Sequence, residues 1–359
     1  MVCGGTEDRR YSVAGFDVIQ VKSAYRNDMG RLRRIASFLS FSFASSLRAL
    51  RTQPDVIFAS STPLTVAIPG LICKWLLRKP LVFEVRDLWP EVPIRLGYLR
   101  NRWLIRAARR LEHAAYRGSE AVVGLSPQMC EGIRRVHPSA SVSLIPNTSQ
   151  IQTFAVSAER AKEFRTSRGI PQSSTLISYV GSLGETYDPS WLIRLASASP
   201  LRGRDVRVVI VGEGTMMNPL REICREMRLT PNSVLLGPLP KSDIAAVYAA
   251  SDLVASCLID APELAGNSLN KVFDAYAAGR PVIFNHGGWL SKLTTEANAG
   301  WRLSSDPEKA ASELAMILDG EDLKKARIAS ADLAVTRFDV SQAAAKLESI
   351  LQSAVAARL

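Results

Sequence analysis

Lys271 and Asp274 are the residues whose type and spacing point most directly to chemistry. They stand three residues apart at the start of a predicted helix, so both lie on one face of it. The free backbone N–H groups and the dipole of a helix start favour an anion, and a lysine adds a full positive charge, so phosphate is the expected guest. A carboxylate one turn further along repels phosphate but accepts hydrogen bonds from sugar hydroxyls. The pair therefore predicts a site for a sugar nucleotide.

The residues around this pair predict a helix followed by a buried strand. Apolar side chains recur at spacings of three and four, as on one face of a helix, at Val272, Phe273 and Tyr276. Gly279 is expected to end the helix in a left-handed conformation, and Pro281 to begin the strand. Ser268 or Asn270 is expected to cap the first turn. An ordinary amphipathic helix leading into a core strand explains the apolar positions equally well, but it does not explain a lysine and a carboxylate in its first turns.

Strand-like and helix-like segments alternate along the chain, which predicts α/β units with doubly wound sheets. Ligands of such sheets bind at the carboxyl ends of the strands, so the loops that follow strands are the candidate binding segments. A polar helical stretch over 156–174 is interpreted as a linker. The first domain is therefore expected at 1–155 and the second at 170–335.

The composition is that of a soluble globular protein, with 47% hydrophobic and 22% charged residues. At 359 residues the chain is long enough for two domains, because single cores stop growing near ~250–300 residues. No stretch offers ~20 apolar residues free of charge, so a membrane-spanning helix is not predicted. The five cysteines and three histidines are dispersed, which indicates reduced thiols in the cytoplasm and no metal site.

The positive charge is concentrated in the first part of the chain. Residues 1–155 hold 22 of the 45 Lys and Arg but only 11 of the 34 Asp and Glu, so the remainder holds 23 of each. Such a basic part suits nucleic acid, an anionic membrane or an anionic substrate. Aromatic residues make up only 7% and no nucleic-acid-binding module is present, so a membrane is favoured. Arginines interleaved with aromatic and aliphatic residues over 30–52 and 95–117 fit helices at a membrane interface, although a helix with one buried face explains 30–52 equally well.

Two runs resemble a known family. The run 267–283, Asn-Ser-Leu-Asn-Lys-Val-Phe-Asp-Ala-Tyr-Ala-Ala-Gly-Arg-Pro-Val-Ile, is similar to the donor-binding motif of the retaining, GT-B-fold glycosyltransferases of family 4, the group 1 glycosyltransferases. The run 85–91, Val-Arg-Asp-Leu-Trp-Pro-Glu, resembles the bacterial branch that builds surface polysaccharides of the cell envelope. The resemblance implies two Rossmann-like domains facing across a cleft, with a final helix at 338–359 that packs back on the first domain.

The resemblance also implies the reaction and its participants. A sugar would move from a nucleotide sugar, UDP-linked in preference to GDP-linked, to a polyprenyl-linked glycan, without metal or cofactor. The protein is then expected in the cytoplasm, peripheral on the inner face of the plasma membrane. Lys271 and the helix-start amides would stabilise the leaving diphosphate, and Asp274 would hold donor hydroxyls. Arg86 and Asp87 would lie beside the transferred sugar or the acceptor. Further donor contacts are implied at Gly181, Ser182, Gly184, Gly212, Gly237, Leu239 and Asn270, and cleft-facing positions at Ser126, Asn147 and Gly287.

The sequence departs from the family pattern at several points. Position 266 is glycine where the family has a carboxylate, and Glu263 would replace it only if the loop bends. Ser182 stands where many members carry an arginine, which leaves Lys271 as the cation for the diphosphate. By the same resemblance, a strand, a glycine-rich loop and a helix that open the first domain of the family are expected to be missing from this sequence.

These departures leave two other functions open. The chain could be a truncated or non-catalytic remnant that binds nucleotide or membrane without transferring a sugar. It could also be a sugar-nucleotide epimerase of the same fold, which would be expected to cluster carboxylates and histidines, whereas this chain has three histidines. A serine hydrolase is not predicted, because Ser126 has no histidine or acid close in sequence.

Overall fold

The computed structural model describes residues 1–23, 29, 31–148 and 151–357, with only the backbone of residues 31, 32, 34 and 35. The chain forms two compact units. The first contains Met1–Ile145 and Ala344–Leu359, and the second contains Pro146–Ala343. The division falls ten residues earlier than the first domain boundary expected from the sequence, and the segment that returns to the first unit begins at Ala344.

The first unit contains two sheets. Its strands are β1 (Val2–Gly5), β2 (Arg9–Val13), β3 (Phe16–Lys22), β4 (Ile57–Ser60), β5 (Leu81–Val85), β6 (Ala121–Gly124) and β7 (Val142–Leu144). Its helices are α1 (Arg31–Ala49), α2 (Ala67–Leu77), α3 (Glu91–Arg95), α4 (Arg102–Arg117) and α5 (Pro127–Val136). The first sheet has the order β1-β3-β2, and the second, with all neighbours parallel, has the order β4-β5-β6-β7.

A tight turn explains a strand that the sequence analysis did not predict. The sequence itself predicts strands at 1–6 and 16–21, where strand-like runs occur, but none at 9–13. In the structure β2 runs antiparallel to β3, and the two-residue loop between them has φ of 49° at Ala14 and 81° at Gly15. Positive φ at both central residues is the hairpin turn that matches the twist of paired strands. All five residues of β2 are exposed, so the strand lacks the apolar alternation by which a strand is usually recognised.

A groove of about 1050 Å³ separates the two sheets of the first unit, lined by β1, β4, α1 and α2. Both β1 and β4 are edge strands among the described strands. Phe58 on β4 is 39% exposed, whereas its register partner Val82 on β5 is 0% exposed. The parallel sheet is therefore fully covered at β5 but open at its β4 edge.

The second unit is a doubly wound sheet with helices on both faces. Its strands are β8 (Thr175–Val180), β9 (Val206–Val211), β10 (Leu235–Gly237), β11 (Leu253–Ser256), β12 (Val282–Phe284) and β13 (Gly300–Arg302). Its helices are α6 (Ile151–Phe154), α7 (Ala158–Ser167), α8 (Ser190–Ser197), α9 (Met217–Glu226), α10 (Pro231–Val234), α11 (Lys241–Ala250), α12 (Asn270–Ala277), α13 (Trp289–Glu296), α14 (Pro307–Asp319) and α15 (Asp322–Thr336), and α16 (Val340–Ala356) passes from this unit into the first.

The strand order of this sheet locates its ligand-binding edge. The order is β10-β9-β8-β11-β12-β13, with all neighbours parallel. The chain moves outward from β8 to β10 and then returns to add β11 on the other side of β8. The order thus reverses between β8 and β11. In open α/β sheets, ligands bind beyond the carboxyl ends of the strands at this switch point.

Arg165 fixes α7 to the second unit. Its buried guanidinium pairs with Asp252 at 2.8 Å and donates to the carbonyl oxygens of Pro171, Gln172, Ser174 and Ala250. The stretch that the sequence analysis interpreted as a linker therefore carries a helix packed into the second unit. Phe164 and Arg165 are the buried residues of α7, and the polar residues around them concealed this packing in the sequence.

Among the described helices, none combines the length and the apolar character that a membrane span requires.

Candidate functional site

The loops that follow β8 and β9 are joined by main-chain hydrogen bonds. The N–H of Gly181 donates to the carbonyl of Val211, and that of Leu183 to the carbonyl of Glu213, both at 2.9 Å. A Cβ added to Gly212 would lie 1.9 Å from the carbonyl oxygen of Gly181, and the φ of Gly212 is +147°, a conformation that strains any side chain. Glycine at position 212 is therefore what lets the two loops approach this closely.

Lys271, the second residue of α12, reaches the loop after β8. The residue is 7% exposed, and its Nζ lies 3.7 Å from the ring centroid of Tyr179 and 4.4 Å from that of Tyr187. A Cβ on Gly181 would lie 3.0 Å from Lys271 Cε and 3.2 Å from Nζ. Among the described residues Nζ has no hydrogen-bond partner. Because α12 follows β11 and Gly181 follows β8, the buried amine lies at the switch point of the sheet.

The groups nearest to Lys271 are neutral. Burial lowers the pKa of Lys271 to about 7, and the Cys257 sulfur acts in the opposite direction. Burial also raises the pKa of the Cys257 thiol far above its usual range, so this thiol stays protonated. Burial lowers the pKa of His286 to about 4. The ring of His286 donates from Nδ1 to the carbonyl of Gly287 at 2.7 Å and accepts at Nε2 from the hydroxyl of Ser256 at 3.1 Å.

The start of α12 has no side-chain cap, so the prediction that Ser268 or Asn270 would cap it was wrong. The N-cap residue is Leu269, which has an apolar side chain. Asn270 is the first helical residue and is exposed. The hydroxyl of Ser268 accepts instead from the N–H of Asn147 at 3.5 Å, and the carbonyl of Ser268 accepts from Asn147 Nδ2 at 2.7 Å. In the described part of the chain, the N-cap residue thus gives no side-chain oxygen to the first N–H groups of α12, as suits a helix start that takes a ligand anion.

Asp274 lies one turn after Lys271 and is half-buried. Burial raises the pKa of Tyr248 well above its usual range, and the nearby Asp274 carboxylate adds to this effect. The hydroxyl of Tyr248 donates to the carbonyl of Lys271 at 3.3 Å. Tyr248 thus supports the backbone of the turn that carries both the lysine and the carboxylate.

The remaining predicted residues of the second unit occupy loops at the same edge of the sheet. Ser182 accepts a hydrogen bond at its carbonyl from Tyr179 at 2.8 Å, and a Cβ on Gly184 would lie 4.0 Å from Tyr187. Gly237 has a φ of +71° and accepts from the N–H of Gly212 at 3.0 Å. Leu239 follows it and is half-buried.

Glu263 lies in a single 3-10 turn, Pro262–Leu264, and is half-buried. The loop that holds it is tied to the start of α13, because the N–H of Trp289 donates to the carbonyl of Ala265 at 3.2 Å. Gly287 lies just before the N-cap residue of α13. A Cβ added to Gly287 would lie 3.5 Å from the guanidinium of Arg302.

In the first unit, Arg86 and Asp87 follow β5 and are half-buried. Asp87 accepts a hydrogen bond at 2.8 Å from the hydroxyl of Thr62. Thr62 follows the neighbouring strand β4. Burial raises the pKa of Asp87, while the Thr62 hydrogen bond and the Arg86 guanidinium act in the opposite direction. Arg86 also lies 3.7 Å from the Glu84 carboxylate. The structure thus gathers polar side chains from two adjacent strand ends.

Ser126 and Asn147 make structural contacts. Ser126 is fully buried and caps α5 by accepting from the N–H of Met129 at 3.1 Å. Asn147 holds the segment that precedes α12 through the carbonyl of Ser268. Neither contact was visible in the sequence, where both residues were identified only as strand-end positions.

Sequence reasoning missed the two tyrosines that enclose Lys271. Tyr179 lies inside the apolar run of β8 and has the pattern of a core residue, and Tyr187 lies in a loop without a distinctive motif. No local pattern links either of them to residue 271. The one hint in the sequence was that the loop 181–188 contains no lysine or arginine, so groups of another kind had to surround Lys271.

The arrangement brings together a buried amine, uncapped helix-start N–H groups, close-packed glycine loops and a half-buried carboxylate. A helix start with a cation binds phosphate oxygens, and the carboxylate can accept from hydroxyls beside them. Among the described residues, no three His, Cys, Asp or Glu side chains form a set of metal ligands.

The chain is similar to known glycosyltransferases over most of its length. Residues 1–148 match the glycosyl transferase 4-like domain, and residues 160–332 match the glycosyl transferases group 1. A D-inositol 3-phosphate glycosyltransferase of Corynebacterium urealyticum is 25% identical over 78% of this chain and 68% of its own length. Alignments with two further Corynebacterium enzymes of that name span about half of the relatives' length.

Two solved structures share the fold. Anabaena Alr3699/HepE in complex with UDP-glucose is 22% identical, with a TM-score of 0.71 over 94% of this chain and 86% of that one. WaaG, a glycosyltransferase involved in lipopolysaccharide biosynthesis, is 14% identical, with a TM-score of 0.70 over 98% and 90%. The fold is therefore GT-B. With both parts matched to glycosyltransferase domains, the chain belongs to the group 1 glycosyltransferases.

Proposed function

We propose that this enzyme is a retaining glycosyltransferase that moves a sugar from a UDP-sugar to a lipid-linked glycan in surface polysaccharide biosynthesis. The main support for a nucleotide-sugar donor is the buried amine of Lys271. This amine has no hydrogen-bond acceptor among the described residues and lies beside the glycine loop after β8. The structure of HepE with UDP-glucose supports the choice of nucleotide. The role of WaaG in lipopolysaccharide biosynthesis supports the choice of acceptor.

Each site residue has a part in this reaction. Lys271 and the uncapped amides of α12 stabilise the negative charge that develops on the departing diphosphate. Asp274 accepts hydrogen bonds from hydroxyls of the donor sugar. Arg86 and Asp87 contact the sugar in transfer or the acceptor. The sugar keeps its configuration because the acceptor attacks the face that the diphosphate leaves, and not through a covalent intermediate on a carboxylate as in retaining glycosidases.

Incubation with UDP-sugars and a membrane lipid extract tests this function. We expect UDP release that depends on the extract, and a glycolipid product whose new bond keeps the anomeric configuration of the donor when examined by NMR. A product of inverted configuration, or donor that is epimerised without transfer, would contradict the proposal.

Replacing Asp274 by asparagine tests the carboxylate. A hydrogen bond to a charged group contributes ~1.5–3 kcal/mol, so we expect kcat/KM for the UDP-sugar to fall roughly 10–100-fold. The control is Asp322→Asn on α15, whose carboxylate is 70% exposed and should leave kcat/KM unchanged. If both variants kept the kcat/KM of the unmodified protein, Asp274 would not be a donor-binding residue.

Association with the membrane is assigned to three neighbouring helices of the first unit. Helix α1 packs on α2, and α2 packs on α4. Their large apolar residues are unusually exposed, with Phe43 at 67%, Trp75 at 64% and Trp103 at 68%. The guanidinium carbons of Arg102 and Arg106 lie 5.9 and 5.2 Å from the Trp103 ring centroid. Apolar side chains interleaved with arginines suit an anionic lipid surface.

The double variant Phe43→Ser and Trp103→Ser tests this surface. We expect its partition onto phosphatidylglycerol vesicles to fall tenfold or more, since a buried large apolar side chain contributes ~1.5–3 kcal/mol. Sedimentation with vesicles measures the partition. Ile328→Ser, at a 69% exposed position of the second unit, is the matched control and should bind as the unmodified protein does. Undiminished binding of the double variant would place the membrane contact elsewhere.

A second candidate function is binding of nucleotide or membrane without transfer. Position 266 is glycine where a carboxylate was expected, and the groove between β1 and β4 leaves an edge of the parallel sheet open in the first unit. UDP-sugar binding without UDP release, in the presence of the lipid extract, would favour this candidate over the transferase.

A further inference from the structure

The amine of Lys271 lacks the partners that a buried cation ordinarily has. Among the described residues its Nζ has no hydrogen-bond acceptor. Its closest contacts are the ring faces of Tyr179 and Tyr187. A buried ammonium without a carboxylate or an acceptor is costly, and such a group often exists as the neutral amine.

The titratable groups around it supply no compensating charge in direct contact. Burial keeps the Cys257 thiol at the end of β11 and the Tyr179 hydroxyl of β8 protonated, because it raises the pKa of both. His286, after β12, is neutral above pH 5 because its pKa is lowered to about 4. The carboxylates in the vicinity are Asp188, whose carboxylate accepts from the Ser190 hydroxyl, and Asp274, which lies one helical turn further along. In the described part of the chain, the titratable side chains that contact Lys271 or lie around the turn that carries it include Tyr179, Tyr187, Asp188, Tyr248, Cys257, Asp274 and His286.

Two effects oppose each other at this amine. The ring faces favour the ammonium, by up to ~2 kcal/mol for a desolvated contact. Burial without an acceptor favours the neutral form. A diphosphate would change this balance, because it brings full negative charge and oxygen acceptors into the same space. A bound diphosphate would give the ammonium the acceptors that the described side chains around it do not supply.

We propose that Lys271 is a neutral amine in the donor-free protein and becomes an ammonium as the donor diphosphate binds. This inference rests on the proposed function. One proton moves from solvent to the lone pair of Nζ, and no bond of the donor breaks in this step. The cation that later stabilises the leaving group is therefore created by donor binding.

The sign of the pH effect follows from linkage. The bound state holds more protons than the free state at every pH above the free pKa of about 7 and below the higher pKa of the complex. In that range Kd for the donor should rise about tenfold per pH unit. At pH 8 about 90% of the free amine is neutral, so binding should take up roughly 0.9 proton, and at pH 6 roughly 0.1.

Calorimetric titration with UDP-glucose tests this directly. The intact sugar nucleotide is used instead of UDP, since its diphosphate has no proton to exchange near neutral pH. At pH 8 the binding enthalpy is compared in HEPES and in Tris, which differ in ionisation enthalpy, and the slope gives the number of protons taken up. We expect a value approaching one at pH 8, a value near zero at pH 6, and a value near zero at both for Lys271→Met.

The possible results distinguish the protonation of Lys271 from the proposed function. Binding of UDP-glucose with no buffer dependence at pH 8 would overturn this inference and leave the proposed function standing. Proton uptake that persists in Lys271→Met would also overturn it, since another group would then be responsible. Failure of UDP-glucose, UDP-N-acetylglucosamine and GDP-mannose alike to bind would overturn the proposed function, and this inference with it.

Discussion

Replacement of Lys271 by methionine is expected to weaken UDP-glucose binding roughly 10–100-fold, which corresponds to ~1–3 kcal/mol for a lost contact between a cation and the diphosphate. Methionine keeps the apolar stem between the Tyr179 and Tyr187 rings and removes only the amine. Calorimetry below pH 7 is the appropriate measurement, because the amine of the unmodified protein is then charged before binding.

The same variant should not lose stability. The amine of Lys271 has no hydrogen-bond partner among the described residues, so its removal from the donor-free protein breaks no polar contact. We expect the Tm to stay the same or to rise, while affinity falls. That combination separates a ligand-binding lysine from a structural one, because loss of a structural contact would lower both.

Lys292→Ala is the matched control for affinity. Lys292 is on α13 of the same unit, and its side chain is 76% exposed beside Glu296. Its loss should leave donor affinity unchanged. If both lysine variants bound UDP-glucose as tightly as the unmodified protein, the diphosphate would lie away from the start of α12.

Replacement of Arg165 by methionine is expected to have the largest effect on stability. Removing one member of a buried ion pair costs ~3–5 kcal/mol, because the remaining charge is left without its partner. Here Asp252 keeps Arg327, but the carbonyls of Pro171, Ser174 and Ala250 lose their donor. We expect the Tm of the second unit to fall by about 10 °C, measured by calorimetry with UDP-glucose absent.

Arg207→Met is the control for this change. Arg207 pairs with Asp205 on the surface, where the two side chains are 56% and 41% exposed. Exposed pairs contribute little, so this variant should unfold at nearly the same temperature. A small shift in both variants would mean that α7 is held to the second unit mainly by apolar packing.

The fold class was accessible from the sequence because its signals are local. Strand-like runs such as 176–180 and 208–211 are almost entirely apolar, as buried parallel strands are, and each leads into a glycine loop. Gly279 ends α12 with a φ of +61°, as the pattern required. The strand β2 was missed because it has no such apolar run, and all five of its residues are exposed. Its hairpin depends on the turn at 14–15.

The candidate site divides in the same way. Lys271 and Asp274 were identifiable because residues three apart on a helix share a face, which depends on helix geometry alone. The prediction of a side-chain cap from Ser268 or Asn270 failed, because Ser268 is bonded to Asn147, more than one hundred residues away. Such a competing partner has no trace in the residues next to the helix start.

Residue types and their spacing along the chain indicated a helix start with a lysine, a carboxylate one turn on, and glycine loops at the strand ends. Only the tertiary structure decided what encloses the lysine. The sheet places β8 beside β11, and this pairing brings Tyr179, Tyr187 and Gly181 to a side chain more than eighty residues further along the chain. Local patterns report contacts between residues a few positions apart, whereas the burial of an amine depends on every element packed around it.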